Sequence, residues 1–145
     1  MERILGLDLG TTTLGMAIND SLGIKCHPYE NFRFEVNNYK KARTHVKEVI
    51  QKENIKTIVL GLPLNMDDTE GERALSARRF KADLEKEIED INIILVDERL
   101  TSVEAHERLF NQGLPLKKHK ETIDAVAASI ILETYIERMK NNGRK

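Results

Sequence analysis

Apolar and polar positions follow two periods along this chain, and the switches between them outline its elements. Ile4-Leu5-Gly6-Leu7-Asp8-Leu9 is an apolar run broken by one acid, which predicts a buried strand, and Gly10-Thr11-Thr12-Thr13 marks the turn into a second strand, Leu14-Gly15-Met16-Ala17-Ile18. The alternation of Phe32, Phe34 and Val36 predicts a third, half-exposed strand. Beyond Asn37-Asn38 the period lengthens. Ala42, His45, Val46, Val49 and Ile50 recur at helical spacing and lead to an apolar strand, Thr57-Ile58-Val59-Leu60. Gly61 and Pro63 interrupt both periods, so Gly61 to Asp68 is expected as loop. From about Glu70 to Asp90, Leu75, Phe80, Leu84 and Ile88 describe an amphipathic helix with one buried stripe. Ile91 to Val96 predicts a fifth strand that Asp97-Glu98 closes. Thr101 or Ser102 is placed to cap a helix through Leu109, with Glu104 near its first turn. Lys117-Lys118-His119-Lys120 reads as a basic connector, with His119 expected in solvent, and a last helix is expected from about Thr122 to Met139.

This order, a hairpin with a third strand and then helix, strand, helix, strand, helix, helix, predicts an α/β fold: a five-stranded mixed sheet flanked by helices. A length of 145 residues with 40% hydrophobic content suffices for one core, so residues 1–140 are read as a single domain and 141–145 as a basic C-terminal tail. The net charge of -1 gives no overall basic field and so argues neither for nor against nucleic acid. One cysteine, Cys26, excludes an internal disulfide and a thiolate metal cluster and reads as a small, partly buried hydrophobe. Residues 1–8 offer about one apolar turn before an acid, which is short for a signal peptide, and nowhere do about 18 apolar residues run together; a cytoplasmic protein without a membrane span is expected.

Three acids carry the chemistry. Asp8 interrupts an apolar strand, where a lone carboxylate would cost several kcal/mol unless paired, protonated or ligated. Glu98 follows directly on the last strand, at the end where open parallel sheets bind ligands. Asp124 opens the final helix, and the small residues Ala125, Ala127 and Ala128 after it let that helix lie close to the sheet. Oxygen-only donors with no thiolate favour a hard cation, magnesium or manganese, over zinc. Each acid also has a local alternative: Asp8 as former of the Thr11 to Thr13 turn, Glu98 as a solvated strand end paired with Arg99, Asp124 as an acid favoured by the helix dipole.

Together the blocks are more specific. Gly6-Leu7-Asp8-Leu9-Gly10-Thr11 with Gly15, Gly61-Leu62-Pro63-Leu64-Asn65-Met66-Asp67, Asp97-Glu98-Arg99-Leu100-Thr101-Ser102, and Ile123-Asp124-Ala125-Val126-Ala127-Ala128 resemble the YqgF family over essentially the whole chain. Its members are described as pre-16S rRNA nucleases and Holliday junction resolvase-like proteins with a ribonuclease H-like fold. The resemblance implies a metal-dependent phosphodiester hydrolase that processes the 5′ end of pre-16S rRNA, or a resolvase-type DNA endonuclease, with Asp8, Glu98 and Asp124 as catalytic acids and ligands of Mg2+ (or Mn2+). It marks Asn65 and Arg99 as near-site residues. The family usually carries a lysine or arginine in the turn that is Thr12-Thr13 here, so the threonine hydroxyls are left to meet a phosphate oxygen.

Cations to hold a nucleic-acid backbone are present as Lys117, Lys118 and Lys120 just before Asp124, and as Arg73, Arg78, Arg79 and Lys81 on the long helix, where the bland reading is a solvated face. Two other classes compete. The Asp8 to Thr13 hairpin also resembles the phosphate loop of actin-like ATPases and sugar kinases, but those enzymes clamp nucleotide between two lobes and this chain has room for one. A binding module that keeps the fold without turnover is the second. Monomer and homodimer both remain open, as does RNA against DNA.

Overall fold

The computed structural model describes residues 2–20, 25–98, 101–115, 119 and 122–143. Strands β1 (Ile4–Leu9) and β2 (Thr13–Asn19) form the predicted hairpin, and β3 (Cys26–Arg33) adds to β2 as an antiparallel edge. Helix α1 (Tyr39–Glu53) leads to β4 (Thr57–Leu62), which lies parallel to β1, and α2 (Glu72–Glu87) leads to β5 (Asn92–Asp97), parallel to β4. The five-stranded sheet runs in the order β3-β2-β1-β4-β5, mixed as the sequence predicts. Helices α3 (Thr101–Asn111) and α4 (Ile123–Gly143) complete the chain. Among the described residues no helix is long and apolar enough to cross a membrane.

Strand parity divides the core. Successive side chains leave a strand on opposite faces, and Leu5, Leu7 and Leu9 of β1, Leu14, Met16 and Ile18 of β2, and Ile58, Leu60 and Leu62 of β4 all pack against α1 and α2. The other parity, Ile4, Ala17, Val59 and Val96, packs against Ala128, Ile131, Leu132 and Ile136 of α4. Helix α3 rests on the outer side of α4 through Ala105 and Leu109. Counting by twos along each strand, Asp8, Thr13, Gly15, Gly61 and Glu98 fall on the α4 side.

Four local expectations need correction. The third strand lies earlier than the Phe32, Phe34, Val36 alternation suggests: it spans Cys26–Arg33, Phe34 is buried just past its end, and Val36 is 70% exposed in the following turn. Pro28 and a register shift opposite Met16 and Ala17 suit an edge strand and erase the clean period. Gly61 and Leu62 belong to β4 and are buried, so the loop begins at Pro63. In α2 the buried stripe is Ala74, Ala77, Phe80 and Leu84, while Leu75 is 60% exposed, because Leu75 stands five residues from Phe80 and off its face. Helix α4 continues to Gly143, past the predicted end at Met139 and into the segment taken as tail. Cys26 is half-buried as expected, packs beside the α4 core, and burial pushes its thiol up to about 11.

Candidate active site

The site assembles at the carboxyl ends of the parallel strands. Asp8 is the last but one residue of β1 and pairs across the hairpin with Gly15. Glu98 follows β5 directly, and its backbone N–H donates to the Leu62 carbonyl at 3.2 Å, which continues the ladder one residue past the strand. Asp124 is in the first turn of α4.

What lets these groups meet is missing side-chain volume. A Cβ on Gly15 would fall 2.0 Å from the Asp124 carbonyl oxygen, so the start of α4 lies directly on β2 at the residue facing Asp8. A Cβ on Gly61 would fall 2.8 Å from the Glu98 carboxyl group and 2.7 Å from Cδ1 of Ile131. Gly6 admits Leu132 and the Ala128 carbonyl in the same way. One glycine on each of the three central strands clears the seat of α4 and of Glu98.

The electrostatics are those of acids forced together out of water. Asp8 and Glu98 share a hydrogen bond, and both carboxyl groups are held above the ordinary range. Burial is the largest cause for each. For Glu98 the Asp8 charge adds to it, and Glu98 is pushed up to about 10. Asp124 repels both, and Arg73 draws both back down. The two carboxyl groups therefore hold a proton between them. Asp124 is anchored separately, since the Thr13 hydroxyl donates to its Oδ2 at 2.6 Å. The alternative in which Asp8 serves the Thr11 to Thr13 turn does not describe this arrangement: Asp8 bonds Glu98, and Thr13 bonds Asp124.

These donors suit a hard cation. All are carboxylate oxygens, and the proton shared by Asp8 and Glu98 stands where positive charge is required, so a divalent ion can replace it. Among the described residues no three His, Cys, Asp or Glu side chains converge on one point. Closing a cage means losing the proton that Asp8 and Glu98 share.

The other predicted residues divide. Thr12 is exposed in the turn, next to Thr13. Asn65 is exposed beyond the end of β4 and serves its own loop, its amide donating to Thr69 Oγ1 at 2.9 Å. Arg99, Lys117, Lys118 and Lys120 lie outside the described residues. His119, expected in solvent, is fully buried: its Nε2 meets the Leu114 carbonyl at 2.8 Å and its Nδ1 meets Nδ1 of His106 at 2.5 Å. The neighbour that sequence reasoning did not place at the acids is Arg73. Its Nη2 donates to the Leu9 carbonyl at 2.7 Å, one residue beyond Asp8.

Known proteins resemble this chain along most of its length. The model of the RuvX family, described as Holliday junction resolvase, matches residues 2–138. A Lachnospira eligens protein named "Putative pre-16S rRNA nuclease" is 43% identical over 136 residues, covering 93% of this chain and 96% of its own. Among solved structures, Thermus thermophilus RuvC in complex with a Holliday junction substrate superposes with a TM-score of 0.62 at 15% identity, covering 97% of each chain. Fowlpox virus resolvase, solved with its Holliday junction DNA, superposes with a TM-score of 0.58 at 13% identity, over 94% of this chain and 98% of that one. These likenesses establish the ribonuclease H-like fold.

Proposed function

Because the chain belongs to the RuvX family of Holliday junction resolvase-like proteins, we propose that it is a phosphodiester hydrolase, a nuclease acting on pre-16S rRNA, with Asp8, Glu98 and Asp124 as its catalytic acids. The observation that carries this reading is the forced contact of Asp8 with Glu98 beside Asp124, which three glycines make possible at the strand ends. A purely structural role would leave two buried acids offset only by one shared proton and the Arg73 charge.

Magnesium or manganese, held by these three carboxylates, would supply Lewis acidity that activates water for in-line attack and stabilises the leaving oxygen. The chain's own residues do the rest. Asp8 and Glu98 give up their shared proton as charge is supplied, Thr13 fixes the direction from which Asp124 approaches, and Arg73 places a permanent positive charge beside the acids. No side-chain nucleophile is needed, and the buried His119 is not positioned to protonate a leaving group.

RNA is favoured as substrate by the name of the Lachnospira eligens relative, and the cytoplasm as compartment by the same association with ribosome maturation. Junction resolution is the second reading, favoured by the fold shared with RuvC and the fowlpox enzyme. It needs two sites in one particle, hence a homodimer, whereas trimming an rRNA end needs one. The test is cleavage of a pre-16S 5′ fragment and of a four-way DNA junction with magnesium, manganese or chelator, for wild-type and Asp8→Asn protein. Metal-dependent cutting lost in Asp8→Asn supports the reading, and the better substrate chooses between the two. No cutting of either, with binding indifferent to metal, would leave a binding module.

A further inference from the structure

Four arginines and lysines of α2 look alike in the sequence, but the structure separates them. Arg78 is bound through two hydrogen bonds to Glu70, and Lys81 pairs with Glu85 at 3.0 Å. Arg73 and Arg79 instead line a cavity of about 750 Å³ between α2 and the start of α1. Lys40, in the first turn of α1, lines it from the other side. Neither Lys40 nor Arg79 has an ion-pair partner among the described residues, and both are exposed. The cavity also holds two carboxylates, Glu72 and Asp83, and a fourth cation, Arg43; the last two satisfy each other at 3.6 Å. The excess is cationic.

The groove lies on the α1 and α2 face of the sheet and reaches the hairpin turn that follows Asp8. Thr11 lines it, and Thr11 belongs to the turn that joins Asp8 to Thr13. Arg73 stands at that end, bonded to the Leu9 carbonyl. From Arg73 to Arg79 the helix rises about 9 Å, nearly three steps of a stacked strand at about 3.4 Å each. Ser76, between them, and Asn37 opposite add neutral polar groups. Cations spaced along one groove with hydrogen-bond donors, leading away from a phosphodiester-cutting site, match a sugar-phosphate backbone.

We propose that the groove between α1 and α2 binds the backbone of the nucleic-acid strand as it leaves the acids, with Arg73, Arg79 and Lys40 as its phosphate contacts. The assignment rests on the nuclease reading and names where its substrate lies. It also places a cation beside the acids by way of Arg73, on a different element from the Thr12-Thr13 turn where the family's basic residue is missing.

The test measures affinity for a labelled single-stranded RNA and for a four-way DNA junction across about 50 to 200 mM salt. Binding is followed with chelator for the unaltered groove and for the Lys40→Gln/Arg79→Gln pair, and again with magnesium on an Asp8→Asn background. Loss of two phosphate contacts should flatten the slope of log affinity against log salt by about 1.4 for single strands and about 1.8 for duplex. The control pair Lys52→Gln/Lys56→Gln, exposed and at the far end of α1, should leave the slope unchanged. Equal slopes for both pairs overturn the groove while cleavage by the wild-type protein keeps the nuclease. Absence of binding in every condition overturns the groove, and absence of wild-type cleavage separately overturns the nuclease. Both substituted positions are exposed and unpaired, so unfolding does not confuse the result, and an unchanged thermal midpoint verifies this.

Discussion

Glu98 stands against the bare α-carbon of Gly61, and a methyl group added there would meet its carboxyl at 2.8 Å. Ile131 Cδ1 closes the other side at 2.7 Å, so an added methyl must turn the Ile131 side chain or displace the Glu98 carboxyl group. Gly61→Ala is expected to cost about 1–3 kcal/mol of stability, as overpacked cores do. Cleavage should fall about 100-fold, since a shift near 1 Å at a reacting group costs that much. Denaturant unfolding and kcat/KM on one preparation check this. A variant that loses stability but cleaves at the wild-type rate would separate Gly61 from the site.

The strength of the acid contact should appear as a pH dependence. Both Asp8 and Glu98 are held above their ordinary values of 3.8 and 4.5, Glu98 up to about 10, chiefly by burial. A carboxyl group raised in the folded state contributes stability that is complete below its unfolded value and is lost as pH rises toward the folded one. Chelator-treated protein should therefore be most stable below about pH 4 as far as these groups decide. It should lose up to about 1.4 kcal/mol per pH unit per group above that. Glu98→Gln should flatten the decline, and magnesium at pH 8 should raise the thermal midpoint of wild type but not of this variant. A decline of equal slope in Glu98→Gln would assign it to other groups.

Thr13 offers a cleaner probe of Asp124. Its hydroxyl donates to Oδ2 at 2.6 Å across 111 residues of sequence. Thr13→Val keeps the shape and removes the bond, at a cost of about 1–2 kcal/mol for a charge-assisted contact. Metal affinity of the variant should change and cleavage should fall, while Thr13→Ser should restore both. Metal titration by calorimetry distinguishes this from a fold defect.

How far the sequence carried the site follows from what each residue must reach. Asp8, Glu98 and Asp124 were legible because an acid in an apolar run, at a strand end or before a run of alanines is locally anomalous. Strand parity, also local, puts Asp8 on the α4 side. Gly61 was misjudged as a loop residue because a glycine inside a strand and one in a turn read alike. What requires it is a carboxyl group 37 residues later, as the numbers of Gly61 and Glu98 show. Arg73 was visible only as one cation among several on a charged helix. Its bond to the Leu9 carbonyl and its pull on the acids exist only after α2 has packed. The third strand was displaced because an edge strand carries Pro28 and Glu30 without penalty, and so its period is weak.

His119 closes the same lesson with a test. A histidine among lysines reads as solvated, and near Asp124 it invites a role in proton transfer, yet its ring is fully buried and stacked beside His106 at 4.8 Å, with Phe110 edge-on at 4.6 Å. With Nε2 donating to the Leu114 carbonyl, Nδ1 is the acceptor, and His106 must donate from its own Nδ1. The pair thus ties α3 to His119, five residues before Asp124. His119→Ala removes both bonds and leaves the Leu114 carbonyl without this partner, for an expected loss of about 2–4 kcal/mol. Its cleavage rate per folded molecule, measured well below the lowered midpoint, should stay within a few-fold of wild type, and the pH profile of kcat should keep its shape. A general acid would instead give a loss of about 100-fold or more together with the disappearance of one limb of that profile, and such a result would return His119 to the chemistry.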